Sequence, residues 1–218
     1  MAQRETLTRD KVLHAAMTLV DEKGLEALSM RRLAAALDVQ AMSLYNHVAN
    51  KADLLDGIAE YAFAQIEPPD PELAWHEQVR AVAVSMYRVF AKHPAVPAAL
   101  ATDQANPTSA RALEPFDWLI GALYQAGFDD RRVRQALDAV MNLVWGSLLF
   151  STAGFVDPDG RAGETDRSAY LRRLDPAKLP NFSRLLRESL TESPSPQDDF
   201  EQTLDLLIRG LVPQERHT

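Results

Sequence analysis

The sequence predicts an all-α protein in two parts joined near residue 67. Three observations carry that expectation. Apolar residues recur at helical spacing along most of the chain. No segment shows the two-residue alternation of a half-buried strand. The stretch Glu67-Pro68-Pro69-Asp70-Pro71, three prolines in four positions, stops one helix and starts another. About nine or ten helices fit the pattern. They divide into residues 1–66, built around three helices, and a larger helical part over 67–218. With 218 residues, 46% of them hydrophobic, the chain can bury a sizeable core.

The elements follow in order. Val12, Ala15, Ala16, Leu19 and Val20 match the i, i+3, i+4, i+7, i+8 template, with Thr8 as N-cap and Gly24 closing the helix. A second short helix runs from Ser29, its cap, to Leu37, with Leu33, Ala34 and Leu37 on one face. Asp38-Val39 interrupts it. A third runs from Gln40 to His47 and turns Leu44 and Val48 inward. Asn50 and Asp53 form a capping box that opens a fourth, with Leu54, Leu55, Ile58 and Ala62 inward.

Beyond the prolines, Val79, Val82, Ala83, Met86 and Phe90 mark a helix ending at His93-Pro94. A short apolar stretch follows from Val96 to Ala101. Leu113, Phe116, Ile120 and Leu123 mark the next helix, closed by Gly127. Asp129 caps a long one carrying Val133, Leu137, Val140, Met141, Val144 and Leu148. Residues 157–166 read as a loop, and 181–190 as a helical segment. Ser193-Pro194-Ser195-Pro196 breaks the chain again before a last stripe of Phe200, Leu204, Leu207, Ile208 and Leu211.

Several function classes are excluded or left without support. The absence of cysteine removes disulfide scaffolds, thiolate metal sites and cysteine nucleophiles. No apolar run reaches the roughly 18–20 residues of a membrane span, and residues 1–10 lack the apolar core of a secretory signal. A cytoplasmic location is therefore expected. The histidines at 14, 47, 76, 93 and 217 show no paired metal spacing. Asp157-Pro158-Asp159-Gly160 lacks the remaining ligands of a calcium loop. No phosphate loop, nucleophile elbow or zinc-protease motif occurs, so neither an enzyme nor a cofactor is expected.

One constellation carries a mechanism. Two short helices joined by a tight turn and packed on a longer first helix describe a helix-turn-helix. Leu33, Leu37, Val39 and Leu44 share a small core only if the chain turns sharply at Asp38. A helix of seven or eight residues is marginal in water, so its neighbours must hold it. Its outward residues Gln40, Ala41, Met42, Ser43, Tyr45, Asn46 and His47 are then free to meet a partner. Small and polar, they suit a DNA major groove. The same periodicity is equally compatible with an ordinary three-helix core. Charge counsels caution, because the chain carries −8 overall and residues 1–60 carry seven Lys/Arg against nine Asp/Glu. Affinity for DNA must come from where a few basic groups point.

The string from Gly24 to Lys51, GLEALSMRRLAAALDVQAMSLYNHVANK, resembles the DNA-binding domain of the TetR family of transcriptional repressors. Gly24, Leu33, Ala34, Val39, Leu44, Tyr45, His47, Lys51 and Leu54-Leu55 fall on that pattern in one register. Asp38 departs from it, since glycine is common in this turn; aspartate tolerates left-handed backbone. EPFDWLIGALYQAGF, LPNFSRLL and FEQTLDLLIRGL are similar to the branch containing the tetracycline repressors.

The resemblance implies roles. Arg31 would reach a base edge or phosphate, while Arg32 would touch the backbone or stay solvated. Gln40 and Ser43 would read bases or phosphates, and Ala41 and Met42 would meet a thymine methyl. Tyr45, His47 and Lys51 would lie on phosphates. Asn46 is hardest to place, because an aromatic is frequent there. Phe63, Ile66, Val82, Met86, Phe90, Trp118, Asn142 and Trp145 would line an effector cavity, although residues so spaced also serve as plain core. Val82 and Met86 stand where tetracycline-responsive members carry polar anchors, which implies a more apolar ligand.

A homodimer is expected through helices at about 130–152 and 198–212, paired as a four-helix bundle. Val140, Val144, Leu148, Leu204, Leu207 and Leu211 would line it, and Gly146, Ser147 and Ser151 would let the helices approach. The function implied is a ligand-responsive repressor of a near-palindromic operator. An activator or corepressor-type regulator, or an all-α carrier or enzyme, is the alternative.

Overall fold

The computed structural model describes residues 6–102, 104–153, 174–191 and 195–211, and every regular element among them is helical. The loop at 157–166 with its calcium-like fragment, His217 and the Ser151 side chain lie outside what is described. Helix α1 (Arg9–Lys23) begins where the Thr8 hydroxyl accepts the Lys11 N–H at 3.3 Å. It ends at Gly24, whose φ of 77° is open to glycine. A 3-10 turn (Leu25–Ala27) leads to α2 (Met30–Ala36), where the Ser29 hydroxyl accepts the Arg32 N–H. Asp38 then takes φ 52°, the left-handed geometry its short side chain tolerates.

Helix α3 (Ala41–Leu44) is shorter than its sequence suggests. Gln40 supplies no side-chain cap, and residues 45–47 continue as a turn closed by the His47 and Val48 N–H groups on the Leu44 carbonyl. Helix α4 (Lys51–Phe63) opens with Asn50 accepting the Asp53 N–H at 2.9 Å. The reciprocal arm of the expected box goes elsewhere: Asp53 accepts the Ala49 N–H at 2.7 Å.

Helix α5 (Trp75–Lys92) starts with Glu77 accepting the Ala74 N–H and stops at His93 before Pro94. Then come α6 (Ala95–Ala101), α7 (Ala110–Gln125) and α8 (Asp130–Ala153). Asp129 caps α8 by accepting the Arg132 N–H at 2.8 Å. Helices α9 (Pro180–Thr191) and α10 (Pro196–Gly210) complete the order; Ser195 and Asp198 cap the latter reciprocally.

Two compact units divide between Asp138 and Ala139. In the first, α1 packs on α4, α2 on α3, and α5 along α7, while α4 also meets α5, α6 and α7. Leu33 and Leu44 are wholly buried, as the helix-turn-helix reading requires, whereas Leu37 and Val39 are half-buried. His93 is buried with its Nδ1 2.7 Å from the Asp21 carboxylate and its Nε2 3.4 Å from the Gln65 amide nitrogen. This fits an Nδ1–H donating to Asp21 and an Nε2 accepting from Gln65. The contact ties the ends of α1 and α4 to the corner between α5 and α6.

In the second unit, Ala139–Leu211, Val140, Val144, Leu148, Phe200, Leu204 and Ile208 are buried. Four of the six residues expected from sequence at an interface between copies are among them. Leu207 and Leu211, the other two, are half-buried. Exposed apolar side chains of this unit include Leu206 on α10 at 67%, Leu185 on α9 at 61% and Leu149 on α8 at 48%. Among the described residues no helix is long and apolar enough to cross a membrane, and no cluster of three acidic or histidine side chains could hold a metal.

Candidate nucleic-acid interface

The nine residues singled out around the turn lie on α2, on α3 and its flanking turns, and at the start of α4. Leu44, wholly buried, anchors α3 from within. Around it Gln40, Met42, Tyr45 and Asn46 are exposed, and Ala41, Ser43 and His47 half-exposed. Met42 shows 74% of its surface, apolar area open to a partner. Arg31 and Lys51 flank this run, exposed and with no hydrogen-bond or ion-pair partner among the described residues. Arg32 differs: its Nη1 donates to the Ala27 carbonyl at 3.2 Å, bracing the turn before α2. An open strip results, with exposed Arg31 and Lys51 on either side of it in sequence. Such a strip fits a groove with phosphate rims.

Sequence reasoning missed one member of this region. Arg9, at the start of α1, donates from Nη1 to the His47 carbonyl at 2.7 Å and from Nη2 to Asp53 Oδ1 at 2.7 Å. No local signal marks Arg9, because its partners lie 38 and 44 residues away. The guanidinium, with the Ala49 N–H second, holds the Asp53 carboxyl below the ordinary carboxylate range. A depressed folded pKa contributes stability above the unfolded value of about 4 and loses it as pH falls through the folded value. The urea stability gap between the protein and its Asp53→Asn variant is therefore expected to hold from pH 7 to about 4 and shrink below. It should stay under about 1 kcal/mol, since both side chains are partly exposed. A gap that persisted unchanged to pH 2 would contradict the charge-assisted bond.

The residues expected at an effector site separate by unit. In the first, Val82, Met86 and Phe90 are fully covered and Ile66 nearly so. The Phe63 ring meets Phe90 edge-on at 5.2 Å and Phe116 at 5.7 Å. Trp118 is half-buried. Phe116, assigned from sequence only to its helix's stripe, thus belongs to the same aromatic cluster. In the second unit Asn142 is exposed and Trp145 half-buried. A small apolar cavity of the first unit lies elsewhere, between α1, α4 and α6, against Val20, Leu55, Ile58, Val96 and Ala99.

Comparison with known proteins agrees with this geometry. Residues 12–58 match the family described as bacterial regulatory proteins, tetR family, and residues 67–214 match the tetracyclin repressor-like C-terminal domain. An HTH-type transcriptional regulator of Saccharopolyspora erythraea is 36% identical over 209 residues, covering 94% of this chain and 85% of that protein. The class C tetracycline repressor protein of Escherichia coli is 30% identical over 210 residues, 94% of this chain and 90% of the relative. Among solved structures, the Streptomyces coelicolor TetR family protein ActR in complex with actinorhodin superposes with a TM-score of 0.76. It shares 29% identity, over 94% of this chain and 96% of its own.

Proposed function

The chain belongs to the TetR family of bacterial regulatory proteins, and from that membership we propose that it is a ligand-responsive transcriptional repressor acting on a near-palindromic operator as a homodimer. The observation that carries the reading is the strip around buried Leu44, open from Gln40 to His47 and flanked by Arg31 and Lys51, which have no partner among the described residues. Arg31 reads a base edge or phosphate; Tyr45, His47 and Lys51 hold phosphates and fix register; Gln40, Ala41, Met42 and Ser43 face the bases, with Asn46 beside them. Two such strips, one per copy, sit about 34–36 Å apart to meet successive major grooves. A largely apolar effector received among Phe63, Val82, Met86, Phe90 and Trp118 favours a conformation with the wrong spacing and releases DNA. The relatives named as tetracycline repressors, and ActR with its bound actinorhodin, support effector control by a small molecule. The protein acts in the cytoplasm, where its operator is.

The test is anisotropy of a labelled duplex carrying the DNA upstream of the chain's own gene, titrated at several salt concentrations. Affinity should fall steeply with salt, whereas an all-α carrier or enzyme would show no binding. Arg31→Ala and Tyr45→Ala should keep the native melt, because both side chains are exposed, and weaken binding by about 1–3 kcal/mol each. Wild-type affinity in both would remove these residues from the interface.

A further inference from the structure

We propose that Arg9 is a positioning residue for DNA binding: its guanidinium sets the pose of the turn after α3 by bridging the His47 carbonyl to the Asp53 carboxylate, without touching nucleic acid. The inference rests on the DNA-binding reading above. It begins from the weakness of α3, a single turn with no side-chain cap. Such a turn has almost no helical stability of its own. Leu44 and Val48, both buried, fix how deep the turn sits. The path of residues 45–51, from which Tyr45, His47 and Lys51 project, is left to polar contacts.

Arg9 supplies those contacts from a different helix. Nη1 donates to the His47 carbonyl at 2.7 Å and also lies 3.3 Å from Asp53 Oδ2, while Nη2 donates to Asp53 Oδ1 at 2.7 Å. Asp53 Oδ2 in turn accepts the Ala49 N–H at 2.7 Å. One planar fork thus clasps the last turn of the recognition element and the first turn of α4, which a lysine's single point charge cannot do. Gly57 makes the approach possible. A Cβ there would stand 2.6 Å from Leu13 Cδ2 and 3.3 Å from Arg9 Nη2, so α1 and α4 close up at this glycine. With its charge paired and its fork occupied, Arg9 is a poor phosphate ligand, unlike Arg31 and Lys51.

Arg9→Met, Arg9→Lys, Asp53→Asn and the Arg9→Met/Asp53→Asn double variant of the full-length protein test this. Each is titrated on the upstream duplex at several salt concentrations, at a temperature where circular dichroism shows native helicity. Each single variant is expected to bind about tenfold more weakly. The salt slope should be unchanged, and the double variant no worse than the worse single. Asp53→Asn is the sharpest arm, because removing an anion beside a phosphate-facing strip strengthens binding if charge alone matters. It is also isosteric, and it decides the matter should Arg9→Met fail to fold. Asp53→Asn binding as well as or better than the unaltered protein overturns the proposal. So does a slope lowered by about one in Arg9→Met, the sign of a lost phosphate contact. A lower thermal midpoint with unchanged affinity overturns it too, since it marks a merely stabilising pair. No salt-dependent binding by the unaltered protein overturns the DNA-binding reading and this inference together, whereas normal binding by it and by every variant overturns this inference alone.

Discussion

Leu44→Asp is expected to unfold the first compact unit, removing DNA binding and most of its helical signal together. Leu44 has no exposed surface, and it is the one buried side chain of a four-residue helix. Losing its burial costs about 1.5–3 kcal/mol. An unpaired carboxylate in its place adds several more, or shifts its pKa and still leaves a buried polar group unbonded. Against a total stability of about 5–15 kcal/mol, that sum removes most or all of the margin. Met42→Asp, two residues earlier and 74% exposed, is the matched control. It should melt like the unaltered protein while binding the upstream duplex more weakly, because a carboxylate then faces phosphates. Thermal circular dichroism of the pair separates the two effects. An unchanged midpoint in Leu44→Asp would mean that the side chain is exposed and the helix register wrong.

Leu206→Arg is expected to give a folded monomer that has lost at least about a hundredfold in operator affinity. Leu206 stands two-thirds exposed on α10, on the face its own chain does not cover. An obligate interface on that face should bury well over about 1,000 Å², and a charge set into it has no partner. Half the contacts to a two-fold operator disappear with the second copy, though no DNA-facing residue has changed. Val144→Arg should behave differently. Val144 has no exposed surface within one chain, so an arginine there breaks the core and yields unfolded or aggregated protein rather than monomers. Sedimentation equilibrium distinguishes the outcomes. Leu206→Arg remaining dimeric with normal affinity would place the interface on another face.

The two expectations differ in how much of each was legible in the sequence. Leu44 as an inward residue follows from spacing alone, because the short segments around Asp38 admit one arrangement that buries Leu33 and Leu44 together. Val144 illustrates the opposite case. The apolar residues of α8 form a stripe wide enough to serve either the chain's own core or a second copy. Periodicity states that the stripe is buried; it does not state by what. The effector cluster shares this ambiguity, since Phe63, Phe90 and Phe116 read as core and as cavity wall with equal ease.

By itself the sequence determined the helical class, the helix starts and the turn. Thr8, Ser29, Asn50 and Asp129 each cap a helix by accepting an N–H three residues on, and Asp38 takes the left-handed geometry expected of it. These are contacts within one turn of chain, so the residues that make them are adjacent in the text of the sequence. Tertiary structure alone decided that Arg9 reaches His47 and Asp53, that His93 meets Asp21 from 72 residues away, and that Leu206 rather than Val144 stays open. Each of these depends on how two helices cross and at what height. Crossing is set by the packing of many side chains at once, and no local spacing encodes it.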